Sequence, residues 1–152
     1  MSTWTTQTIV DGTPEEVLAV LSDPDRCCRW SPIDFDLQDL DGDRLETGSF
    51  ALVAGRVAGI AVSFAIEVLH ASDRRLALTA RGPTTLDVEY EAYPADAGRA
   101  EVWATVTVKA SRSLSGRLVA ASTEALLRGG ALSLALRRIA AEVERTMDRV
   151  TA

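Results

Sequence analysis

Apolar and polar residues first follow no helical spacing, then a spacing of three to four, then a period of two, and finally a helical spacing again. Thr3 to Val10 is rich in Thr, Ile, Val and Trp without helical period, the composition of a strand. Thr13-Pro14-Glu15-Glu16 then supplies a capping hydroxyl, a proline at the first helical position and a glutamate at the capping-box position. Val17, Leu18, Val20 and Leu21 follow, so a helix starts here. Asp23-Pro24 closes it and opens a second short helix, which Ser31-Pro32 stops after Trp30.

From Ile33 the period becomes two: Ile33, Phe35 and Leu37 alternate with Asp34, Asp36 and Gln38, and Asp41-Gly42-Asp43 makes a turn. Further strands are expected at Ser49 to Val57, Ile60 to His70, Arg75 to Arg81, Leu86 to Tyr93 and Ala100 to Lys109. Gly59, Ser72-Asp73, Gly82-Pro83 and the run from Pro94 to Gly98 separate them with residues suited to turns. Such short links between consecutive strands predict an antiparallel meander.

After Ser111-Arg112-Ser113 the helical spacing returns, and Leu132, Leu136, Ile139, Val143, Met147 and Val150 recur every three or four residues. This predicts a long amphipathic helix whose other face, with Arg137, Arg138, Glu142, Glu144, Arg145 and Arg149, is solvated. The chain is therefore read as α+β, in one domain over 1–152, with no repeat or linker.

Composition narrows the function classes. A net charge of −6 and a pI near 4.8 repel phosphate backbones, so neither nucleic acid nor an anionic membrane surface is the expected partner. The longest strongly apolar window, Val57 to Ile66, is far shorter than the roughly 20 residues of a membrane helix. MSTWTTQTIV lacks a basic region followed by an apolar one, and cytoplasmic residence is the expectation. The two cysteines, Cys27 and Cys28, are adjacent, so free thiols are expected rather than a disulfide. With one histidine, His70, a Cys/His zinc site cannot be assembled; no metal and no cofactor is expected.

The order strand, two short helices, meander and long terminal helix resembles the START/Bet v 1-like (SRPBCC) superfamily, particularly its bacterial polyketide cyclase/dehydrase and lipid-transport branch. The likeness is carried by TPEEVLAVLSDPDRCCRWSP at 13–32, LETGSF at 45–50, FAIEVLHASDRRLALTA at 64–80 and LRRIAAEVE at 136–144. The resemblance implies the helix-grip fold, a curved antiparallel sheet wrapped around a long C-terminal helix, with two short helices after the first strand. It also implies a hydrophobic cavity between sheet and helix, in a superfamily whose members bind lipids, hormones or polyketides and a minority of which catalyse cyclisation or dehydration.

Strand parity nominates the inward residues: Val62, Phe64, Ile66 and Val68; Leu76, Leu78 and Ala80; Leu86, Val88 and Tyr90; Val102, Ala104, Val106 and Val108. The charges Glu67, Asp87, Glu89, Glu91, Glu101 and Lys109 take the outer parity, where Glu89 and Glu91 make a solvated stripe, and Trp103 joins them. Two polar groups share the inward parity. Tyr90 has a phenol that pairs with a ligand oxygen or with a backbone carbonyl. Arg56 is inward if the alternation Phe50, Leu52, Ala54 continues, where it would hold a carboxylate or enolate oxygen; it is in water if the strand ends sooner. His70 is expected exposed at a turn.

Extending the terminal-helix stripe backward from Leu132 gives the small residues Gly129, Ala125 and Ser122, which would leave space for a ligand. Gly129-Gly130 either permits close approach or a bend within one helix, or simply breaks it. The expected ligand contacts are thus Arg56, Phe64, Leu78, Tyr90, Ala125, Gly129 and Leu132, with no residue assigned to catalysis. The leading reading is an apolar small-molecule binder, monomeric or weakly dimeric. A polyketide cyclase or dehydratase and a protein-interaction module, the latter favoured by an exposed Trp103, are the alternatives.

Overall fold

The computed structural model describes residues 2–26, 35–40, 42–57, 59–109, 111 and 113–151. Its strands are β1 (Ser2–Val10), β2 (Phe35–Leu40), β3 (Phe50–Val57), β4 (Ile60–Ala71), β5 (Arg75–Arg81), β6 (Thr85–Pro94) and β7 (Ala100–Val108). Its helices are α1 (Pro14–Leu21), α2 (Leu114–Arg128) and α3 (Ala131–Thr151). All neighbouring strands are antiparallel, in the order β1-β7-β6-β5-β4-β3-β2. This is the α+β helix-grip architecture expected from the sequence. Cys27, Cys28, Trp30 and Ile33 lie outside the described residues.

Local chemistry sets the first helix. Thr13 Oγ1 accepts from the Glu16 amide at 3.2 Å, and Glu16 Oε1 accepts from the Thr13 amide at 3.5 Å, a complete capping box. Val17, Leu18, Val20 and Leu21 are buried as predicted from their spacing. They join Val10, Ala92, Ala100 and Val102 in the main core, against Leu136, Ile139 and Val143 of α3.

Inward parity holds on β4 to β7: Val62, Val68, Leu76, Ala80, Tyr90, Val102, Ala104, Val106 and Val108 are all buried. On β3 the expectation is corrected. Directly opposite residues of paired strands share a face, and β3 pairs Ala51 with Ile66, Val53 with Phe64 and Gly55 with Val62. The inward set of β3 is therefore Ala51 and Val53, while Phe50 (56% exposed) and Leu52 (43% exposed) face out. Phe50 to Ala54 is apolar at every position, so alternation cannot fix its phase, and the larger side chains suggested the wrong one.

A second correction concerns the C-terminus. The helix breaks at Gly129-Gly130, with Gly130 at φ +95°, a left-handed conformation that glycine adopts without steric cost. The break resets the helical phase. The buried positions of α2 are Gly116, Val119, Ala120 and Thr123, rather than the line through Ser122, Ala125 and Gly129. On α3 the predicted Leu132, Leu136, Ile139 and Val143 are buried, and the side chains of Met147, Arg149 and Val150 lie outside the description. Glu142, expected in solvent, is buried, and it accepts from Arg145 Nη1 at 2.8 Å.

Candidate functional site

A cavity of about 260 Å³ lies between the concave face of the sheet and the α2–α3 junction. Its floor is built from inward side chains of five strands: Ala51 and Val53 of β3, Ile66 of β4, Leu76, Leu78 and Ala80 of β5, Leu86, Val88 and Tyr90 of β6, and Val106 of β7. Thr123, Leu126 and Leu127 of α2 and Ala131, Leu132 and Ala135 of α3 form the roof. Leu21, Leu37 and Leu45 complete the walls. Leu45 is anchored by its own amide, which donates to the Ser22 carbonyl at 3.0 Å and ties the loop to the end of α1.

Two of these side chains are polar. Tyr90 is 5% exposed, and burial pushes its phenol well above the ordinary range, so it stays protonated and neutral. Thr123 Oγ1 donates to the Val119 carbonyl at 2.8 Å, which leaves its lone pairs as the group it can offer elsewhere. Among the described residues, the lining carries no charged side chain. The site can therefore cover apolar surface, and the polarity of its described lining is limited to two neutral hydroxyls, one of which donates to the Val119 carbonyl.

The structure divides the expected ligand contacts. Leu78, Tyr90 and Leu132 line the cavity together. Phe64 is partly buried beside it, against Val62 and Val119. Ala125 and Gly129 are exposed and border a separate depression with Ser122, Leu134 and Arg137. Arg56 takes the outer phase of β3, opposite Ala61, and its Nη1 donates to the Gly59 carbonyl at 3.2 Å. The guanidinium expected at the ligand is thus in solvent, because register and not side-chain size decides which face it occupies.

Sequence reasoning passed over Ala51, Val53, Leu45, Leu127, Thr123 and Ala135 as lining residues. Ala51 and Val53 were legible through pairing with β4, and Thr123 through its spacing from Val119 and Leu127. Leu45 had no periodic signal, since it comes from an irregular loop.

The outer face carries the charges as expected. Arg75 Nε donates to Glu89 Oε1 at 2.9 Å, and hydrogen bonding with Glu91 together with the Arg75 guanidinium holds the Glu89 carboxyl below its usual range. The Tyr93 hydroxyl donates to Glu91, and Trp103 Nε1 donates to Glu101 Oε1 at 2.8 Å. Trp103 is partly open on this face, and His70 is exposed after a register shift in β4. Among the described residues, no helix is long and apolar enough to cross a membrane.

No family model matches the sequence, and no curated protein matches it. Solved structures do match in fold. The Zhui aromatase/cyclase of a Streptomyces species superposes with TM-score 0.71 at 18% identity, covering 96% of this chain and 95% of its own. A START superfamily protein of Mycobacterium smegmatis gives TM-score 0.69 at 13% identity over 95% of this chain and 98% of its own. A Thermus thermophilus protein gives 0.72 at 14% identity over 95% and 99%. At these identities the likeness speaks to architecture, and with the sheet, the terminal helices and the cavity between them it identifies the chain as having the START/Bet v 1-like helix-grip fold.

Proposed function

We propose that the chain binds an apolar small molecule, lipid-like or polyketide-like, in the cavity between sheet and terminal helices, as a carrier or sensor. The observation that carries this reading is the partly open space of about 260 Å³ with a described lining that is aliphatic except for Tyr90 and Thr123. A packed core has few voids larger than a water molecule, so a void of this size lined by leucine, valine and alanine favours an apolar occupant. A cyclase-type reading draws on the Streptomyces aromatase/cyclase among the similar structures. The described lining offers that chemistry a neutral phenol and an alcohol, neither of them a base at neutral pH, which favours binding over catalysis.

Native mass spectrometry of freshly purified protein tests the reading. The expected result is an adduct that is released on denaturation and is missing from Ala135→Phe, whose ring would occupy the cavity. A bare chain mass, together with no uptake of any added apolar probe, contradicts it.

A further inference from the structure

We propose that the outward face of α2 docks the protein on an anionic lipid surface, with its leucines at the boundary between head groups and acyl chains and its arginines at the phosphates.

α2 is apolar on two opposite sides. Successive residues of an α-helix turn by about 100°, so the buried Gly116, Val119, Ala120 and Thr123 face the sheet and Leu114, Leu118, Ala121 and Ala125 point the other way. All four outward residues are exposed, Leu114 by 83% and Leu118 by 56%. Leucines one turn apart on the outer side form a stripe where a surface helix otherwise carries polar residues.

Charge identifies what the stripe meets. The net charge of −6 argues against an anionic surface for the chain as a whole, but it is unevenly spread: Ser111 to Ala141 holds five arginines and one glutamate, and the rest of the chain holds 21 acidic residues against 11 basic ones. Arg117 and Arg128 each stand three residues after an outward apolar residue, Leu114 and Ala125, and Arg137 borders the depression that Ala125 and Leu126 line. The exposed apolar side chains on the outer face of the sheet keep the opposite company. Phe50 and Leu52 share a depression with Asp39, Trp103 donates to Glu101, and Tyr93 donates to Glu91. An anionic surface therefore attracts α2 and repels the far side of the sheet, which orients the molecule. Those carboxylates lie beyond a helix about 10 Å across, more than the Debye length of about 8 Å at physiological salt, so their repulsion is screened while the arginines are in contact. A nucleic acid would use the arginines and leave the leucines in water, whereas a lipid surface uses both. The leucines lie on the convex side of one helix, which a planar surface meets along its length. Each arginine near such a surface favours binding by about fivefold, so a few arginines and two leucines give weak, reversible docking without insertion.

Flotation of the intact protein with vesicles of dioleoylphosphatidylcholine, alone or mixed with dioleoylphosphatidylglycerol, tests this. The protein is expected to float with the mixed vesicles, not with the neutral ones, and to be released as salt rises from about 0.1 M to about 0.5 M. Leu114→Gln with Leu118→Gln should weaken binding at least roughly tenfold, and Arg117→Gln with Arg128→Gln by roughly 25-fold. Both pairs should melt as the parent does, because the replaced side chains are exposed and glutamine suits a helix. Phe50→Ser with Leu52→Ser, on the outer face of the sheet, should bind as the parent does. No binding to the mixed vesicles, equal binding to the neutral ones, or parent-like binding by either α2 pair overturns the proposal. So does an equal loss in the Phe50 and Leu52 pair. A dimer that the leucine pair dissolves, without vesicle binding by the parent, also overturns it and makes the face a contact between copies.

Discussion

α3 and α2 cover the same concave sheet with opposite side-chain volumes. α3 presents Leu132, Leu136, Ile139 and Val143, which close onto α1 and the β1–β7 side of the sheet and leave Ile139 and Val143 at 0% exposure. α2 presents Gly116, Val119, Ala120 and Thr123 inward and leaves Leu114 and Leu118 in solvent. Large side chains at helical spacing fill the space under a helix; small ones keep its backbone near the sheet and leave room beside it. The cavity lies at the join, where the glycine break lets the two helices take different phases.

The largest effect is expected in the solid region. Ile139→Ala should lose about 2–5 kcal/mol of unfolding free energy in urea melts, the cost of an unfilled hole in a close-packed core. Leu78→Ala, on the cavity wall, should lose less than half as much, because its side chain already borders empty space. Equal losses would remove the distinction between a filled and a hollow region.

Overpacking probes the same contrast from the other side. Ala104 is fully buried among the main-core strands, so Ala104→Phe should destabilise by about 1–3 kcal/mol or fail to fold. Ala135→Phe can place its ring in the cavity, and its melting temperature should stay near that of the parent. The hinge contributes less. Gly130→Ala introduces a side chain at φ +95° and should cost about 1–2 kcal/mol, measured by chemical denaturation, even though no atom lies within 4 Å of the new Cβ.

The smallest effect lies on the outer face. Burial raises the Asp87 carboxyl, but bonds from Lys109 and Thr79 outweigh it and hold the group below its ordinary range. A depressed carboxyl adds stability above its unfolded-state value, about pH 4, and that stability is lost as pH falls through the lower folded value. Asp87→Asn should therefore weaken the fold by under about 1 kcal/mol at pH 7, discounted for its partial exposure, and less at pH 3.

Much of this architecture was legible because strong local signals agreed with the global fold. The capping box at Thr13 announced α1, and alternation on β4 to β7 announced the inward floor, including Leu78 and Tyr90. Legibility failed where local pattern was degenerate. The run from Phe50 to Ala54 carries apolar residues on both faces, so only pairing with β4 settles that Arg56 points outward. Likewise, stepping back from Leu132 assumed one continuous helix, and Gly130 rotates the stripe away from Ala125 and Gly129. Leu45, held by a loop contact to Ser22, belongs to the cavity through tertiary structure alone.

Titrating a neutral naphthyl ketone into Ala135→Phe and Ala125→Phe decides whether ligand space lies under the α2–α3 junction or outside it. Both changes add one ring to a helix surface, the first inside the cavity and the second on the exposed side. Ala135→Phe, folded by circular dichroism, should no longer take up the ketone, while Ala125→Phe should bind it as the parent does. Retained uptake by Ala135→Phe, or its loss in Ala125→Phe alone, would contradict a site under the junction.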